Sequence, residues 1–125
     1  MTTQSNALVE LERTQTDVNS LRCRFLVPGN LPLFRDHFPT RPVLPAFVIA
    51  DIVLREAQAT WSALEHWQSM PRLKLLLPID PNVEVTMELE RVERDVRFSL
   101  VAHTDKGDEP AATGILRFAP TESED

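Results

Sequence analysis

One histidine and one carboxylate are placed where they could move protons. They frame the stretch "FRDHFPTRPVLPAFVIAD", residues 34–51, in which His37 is surrounded by Pro39, Pro42 and Pro45 and Asp51 follows fourteen residues later. Histidine titrates near neutrality and serves as a general base. A carboxyl group among apolar side chains is pushed toward its protonated form and can act as an acid. Asp51 stands alone in the otherwise apolar "AFVIADIVL", which suits that second role. Each residue also has a plainer reading. A loop histidine is often solvated, and Arg55, one helical turn after Asp51, can pair with it and keep it ionised.

The surrounding pattern says how such a pair would be held. Proline fixes its own φ and pushes the preceding residue toward extended geometry, so residues 28–44 read as ordered loop. Pro45 suits the first turn of a helix, and no glycine or proline interrupts the chain from Ala46 to Trp67. The sequence therefore predicts one long central helix from about residue 45 to 67, apolar all round except for Asp51 in its first half and amphipathic in its second. Two strands precede it: a loosely alternating segment from Leu8 to Thr14, then "SLRCRFLVP" with Leu21, Cys23, Phe25 and Val27 on one face. Four follow Pro71, in "RLKLLLPI", "VEVTMELERV", "VRFSLVAH" and "TGILRF", with turns at 80–82, 93–95 and "TDKGDEP". The plan is a single α+β domain over residues 1–125, an antiparallel sheet around one helix, with flexible ends at about 1–6 and 120–125.

Composition limits the functions available. The chain has 125 residues, a net charge of −6 and a pI near 5.0, without a lysine or arginine cluster, which argues against nucleic acid. A single cysteine, Cys23, excludes an internal disulfide and fits a reducing compartment. No signal-like start and no apolar run of membrane-spanning length is visible, so a cytoplasmic location is expected. His66 and His103 lack carboxylates or cysteines at metal-ligand spacing, so no metal site is expected. Trp61, Leu64 and Trp67 read as packing or subunit contact.

The segment "DHFPTRPVLPAFVIAD" resembles the "GHFPxxPVxPG" signature of the hot-dog-fold 3-hydroxyacyl–acyl carrier protein dehydratases. The likeness extends from "FLVPGNLPLFRDHFP" through "LKLLLPIDPNVEVTMEL" to "ATGILRF", and is similar in particular to the short thioester dehydratases of aryl-polyene pigment pathways. The resemblance implies a cofactor-free lyase that eliminates water from a (3R)-3-hydroxyacyl thioester to give a trans-2-enoyl thioester. It makes His37 the base at C2 and Asp51 the acid at the C3 oxygen. The backbone N–H of Ala46 becomes the donor to the thioester oxygen, a job that free N–H groups at a helix start can do. Phe38, Val43, Pro45 and Phe47 are the implied substrate contacts.

Three family glycines are replaced here, by Asp36, Thr40 and Ala46. The methyl of Ala46 leaves the N–H in place but narrows the backbone angles allowed there. The implied partners are an acyl carrier protein, met by Arg35, Arg41, Arg72 and Lys74, and a second hot-dog subunit. That subunit is either a second copy or a related chain, with His37 of one facing Asp51 of the other. A hot-dog acyl thioesterase and a non-catalytic subunit of a hetero-pair are the alternatives.

Overall fold

A computed structural model describes residues 9–27, 46–80 and 82–119. Among the described residues six strands and one helix follow in chain order. They are β1 (Val9–Asp17), β2 (Ser20–Leu26), α1 (Ala46–Thr60), β3 (Trp67–Leu75), β4 (Glu84–Val92), β5 (Asp95–Thr104) and β6 (Gly107–Phe118). The strands make one antiparallel sheet in the order β1-β2-β4-β5-β6-β3, with β1 and β3 at its edges. This is the α+β hot-dog architecture.

Alternation sets which face is covered. Leu21, Cys23 and Phe25 on β2, Val85, Met87 and Leu89 on β4, and Val96, Phe98, Leu100 and Ala102 on β5 are buried. The residues between them, Arg22, Arg24, Glu88 and Arg97 among them, face the other way. Helix α1 lies on the apolar face through one stripe, Ile49, Val53 and Ala57, spaced four residues apart. Burying Ile49 and Val53 there contributes about 1.5–3 kcal/mol each.

The helix is shorter than the sequence pattern predicts, ending at Thr60 rather than near residue 67. Trp61 explains the stop. Its ring is buried, its Nε1–H donates to the Val18 carbonyl in the β1–β2 turn at 2.9 Å, and Leu64 N–H closes a turn onto the Trp61 carbonyl at 2.9 Å. Tertiary contact overrides local helix propensity here. The freed residues let Trp67 begin β3, and Pro71 lies inside that strand rather than before it. A missing N–H is tolerated on an edge strand, and the β3–β6 register shifts between Ser69 and Arg72. Likewise Gly107 to Pro110, read as turn, already belong to β6, with the register shift at Leu100/Val101 absorbing Pro110.

One glycine is required for space. A Cβ on Gly114 would lie 2.4 Å from Cζ of the Phe98 ring and 2.6 Å from the Arg72 carbonyl oxygen. The ring of Phe98 is packed over the bare Cα, and β3 closes from the other side. Gly114→Ala should therefore cost about 1–3 kcal/mol in urea unfolding, the usual penalty of overpacking. Truncating the clashing ring in Gly114→Ala/Phe98→Leu should recover part of it. Unchanged stability in the single variant would show that the ring and β3 move apart freely.

Candidate functional site

Asp51 lies in the second turn of α1, on the side opposite Ile49 and Val53. Its Oδ2 is 3.0 Å from Arg55 Nε, and the two side chains are 48% and 66% exposed. The expectation that the first half of the helix is buried all round is therefore corrected for the single chain. The core fully buries only one stripe, while Val48, Ile52 and Leu54 pack partly against it and remain half-buried, and the Asp51 carboxylate faces outward. The plainer reading of Asp51, a pair with Arg55, is the arrangement present. Such an exposed i,i+4 pair contributes only a few tenths of a kcal/mol.

Ala46 is the first residue of α1, so its N–H is among the four at the helix start that have no partner inside the helix. Phe47 follows in the same turn. Arg72 and Lys74 are exposed on β3, in register with Ile115 and Thr113 of β6. His37, Phe38, Val43, Pro45, Arg35 and Arg41 lie outside the described residues. Edge strand β3 carries β6 on one side and no other strand of the described sheet on its second side. Trp67 and Leu75 at its two ends, and Leu76 just beyond it, are 49%, 54% and 46% exposed.

Two constellations escaped the sequence. On the outer sheet face, Thr86 Oγ1 is 2.6 Å from His103 Nε2, and His103 Nδ1 is 2.7 Å from Asp108 Oδ1. The order hydroxyl, imidazole, carboxylate is that of an activated nucleophile. They border a groove of about 510 Å³ that also includes Arg24 and Glu84. Yet Thr86 sits mid-strand between β2 and β5, where backbone N–H groups are committed to the ladders, so no donor is free for an oxyanion. The cluster is a cross-strand brace. It becomes visible only with the register that sets His103 opposite both Glu84 and Asp108. Among the described residues no group of His, Cys, Asp and Glu is placed to hold a metal ion.

The second joins β1, β2 and α1. Arg13 Nε lies 3.0 Å from Glu56 Oε1, Arg13 also donates to Thr60 Oγ1, and the buried Cys23 thiol lies 3.8 Å from the same Glu56 oxygen. Burial, then the neighbouring Glu56 carboxylate, pushes the thiol up to about 12 from an ordinary value of 9.0. Cys23 is thus a packing residue rather than a nucleophile. A thiol harder to ionise in the folded than in the unfolded chain favours folding below pH 9, and that advantage is lost as pH rises from about 9 toward 12. Cys23→Ala should cost stability at neutral pH, and its deficit relative to the parent should shrink between pH 8.5 and 11 in denaturant unfolding. A pH-independent deficit would remove the burial argument.

Comparison with known proteins adds the family. The model of the ApeI dehydratase family, ApeI-like, matches residues 12–114. A comparison with curated proteins finds no match. Among solved structures, the dehydratase heterocomplex ApeI:P from Xenorhabdus doucetiae superposes with a TM-score of 0.82 at 21% identity, covering 90% of this chain and 98% of that one. An uncharacterized protein from Erwinia carotovora subsp. atroseptica gives 0.80 at 23%, covering 91% and 97%. The dehydratase domain of the polyketide synthase PpsC from Mycobacterium tuberculosis gives 0.72 at 20%, covering 96% of this chain and 47% of that one. At these identities the superpositions establish the shared hot-dog fold.

Proposed function

Because this chain belongs to the ApeI-like dehydratase family, a family of hot-dog lyases, we propose that it dehydrates a (3R)-3-hydroxyacyl thioester presented by an acyl carrier protein. His37 removes the proton from C2, the electron pair forms the C2–C3 double bond, and the hydroxyl leaves C3 with a proton from Asp51. The Ala46 N–H steadies the charge that gathers on the thioester oxygen. The acyl chain runs past Phe38, Val43, Pro45 and Phe47.

The observation that carries this reading is the placement of Asp51. It stands half-exposed on α1, near the helix start that holds the Ala46 N–H, on a helix whose Val48, Ile52 and Leu54 are only half-buried. A second hot-dog chain, docked along the edge of β3, would cover that side of the helix and exclude water from Asp51. Arg55 must then swing aside for Asp51 to give up a proton. The site is then shared, with His37 of one chain facing Asp51 of the next. The ApeI:P structure is a heterocomplex, so a related hot-dog chain is the alternative to a second copy.

The Asp51–Arg55 pair also favours a second reading, a non-catalytic subunit in which the carboxylate is only structural. Asp51→Asn and Arg55→Ala separate the two. If Asp51 is the acid, Asp51→Asn should lower enoyl formation by about 10²-fold or more with an unchanged melting temperature, while Arg55→Ala stays active. If the residue is structural, activity per folded molecule is unchanged in both. Mass spectrometry of the products also identifies a thioesterase, which releases free acid and thiol in place of the enoyl thioester.

A further inference from the structure

The arginines of the outer sheet face divide into two groups. Toward β1 they are closed on carboxylates: Arg22 on Glu88 at 3.0 Å, Arg24 on Glu84 at 3.0 Å and on Glu12 at 3.3 Å. Around the β4–β5 hairpin the balance reverses. Asp95 receives Arg117 through Nε–Oδ1 at 3.0 Å and Nη2–Oδ2 at 3.2 Å. Those hydrogen bonds, outweighing the effect of burial and joined by the charges of Arg117, Arg94 and Arg97, hold its carboxyl below the usual range. One carboxylate is therefore surrounded by three guanidinium groups.

The cluster continues across the sheet. Arg97 is in register with Ile115, and Ile115 with Arg72 on the edge strand, which sets Arg72 and Arg97 about 10 Å apart. Lys74 stands two residues beyond Arg72 on the same face. Arg94, Arg97, Arg72 and Lys74 are all exposed and have no ion-pair partner among the described residues. Glu90, opposite Arg97 in the ladder, and Glu93 in the turn are the other acidic groups here. Five cations against three acids is an inverted balance for a chain of net charge −6. The interleaved acids suit a folded partner of mixed but acidic surface better than a uniform polyanion.

The position also fits the shared site. Trp61, just past the C-terminal end of α1, meets Val18 in the β1–β2 turn, and Asn19 beside it accepts a bond from Arg91 N–H. The arginine cluster therefore lies at the end of the sheet away from the helix start. Antiparallel pairing of two β3 edges about a two-fold axis sets this end of one copy beside the Asp51 end of the other.

We propose that Arg94 and Arg97, with Arg117, Arg72 and Lys74, form the docking surface for the acidic protein that carries the acyl group on its flexible arm, and that the surface delivers the thioester to the partner copy's site. The inference rests on the dehydratase reading and adds to it the hairpin arginines, which composition alone did not single out. The probe is the double reversal Arg94→Glu/Arg97→Glu, which breaks no ion pair, tested on one 3-hydroxyacyl group linked either to acyl carrier protein or to pantetheine. The expected result is a fall of tenfold or more in kcat/KM for the carrier-linked substrate, carried by KM, a weaker dependence on salt, and an unchanged rate on the pantetheine thioester. Equal losses on both substrates, or no loss on either, would overturn the proposal. If the parent protein turns over neither substrate, the dehydratase reading fails on its own. Direct titration with carrier protein then decides the docking surface: binding that the reversal abolishes supports it, and binding that the reversal leaves intact refutes it. Binding to anionic lipid vesicles at equal strength would also refute it.

Discussion

Helix α1 touches the sheet through a single stripe, Ile49, Val53 and Ala57, and that one-sided contact governs the rest of the molecule. A helix hydrophobic nearly all round its first half is held against a sheet that can cover only one side of it. The uncovered side holds Asp51, with Val48 and Ile52 only half-buried against the core beside it. In the proposed dehydratase, a second hot-dog chain covers this side. The edge of β3, with Trp67 and Leu75 exposed and no further strand of the described sheet beside it, is a second surface such a chain would use.

The strands were legible in the sequence because their period of two is strong and their buried residues are large. Leu21, Cys23 and Phe25, then Val85, Met87 and Leu89, state both the strand and its inner face. The end of the helix was not legible. The signal that stops it is the hydrogen bond from Trp61 to Val18, forty-three residues earlier in the chain. Pro71 misled for a related reason, since a proline reads as a break until its strand is known to be an edge.

The candidate site was legible in part. The spacing of His37 and Asp51 and the helix start at Ala46 come directly from the chain. The environment of Asp51 does not. Whether an acid in an apolar helix faces the core or the outside depends on which stripe the sheet selects, and that choice is tertiary. The pairing of Asp51 with Arg55 is the plainer reading of the sequence, and it is the arrangement present in the single chain. Part of the arginine cluster was hidden for a similar reason, because Arg117 reaches Asp95, beside the neighbouring Arg94 and Arg97, only through the β5–β6 register.

The central claim is that two chains share each site, and mixing two inactive variants tests it directly. His37→Ala and Asp51→Asn chains, co-folded in equal amounts, form mixed dimers in which the intact His37 of one chain faces the intact Asp51 of the other. Random pairing in a two-fold dimer then restores about a quarter of the parent's turnover, from two inactive parts. If both residues of a site came from one chain, every site in every dimer would carry a defect. Turnover in the mixture no higher than that of the separate variants would contradict the account.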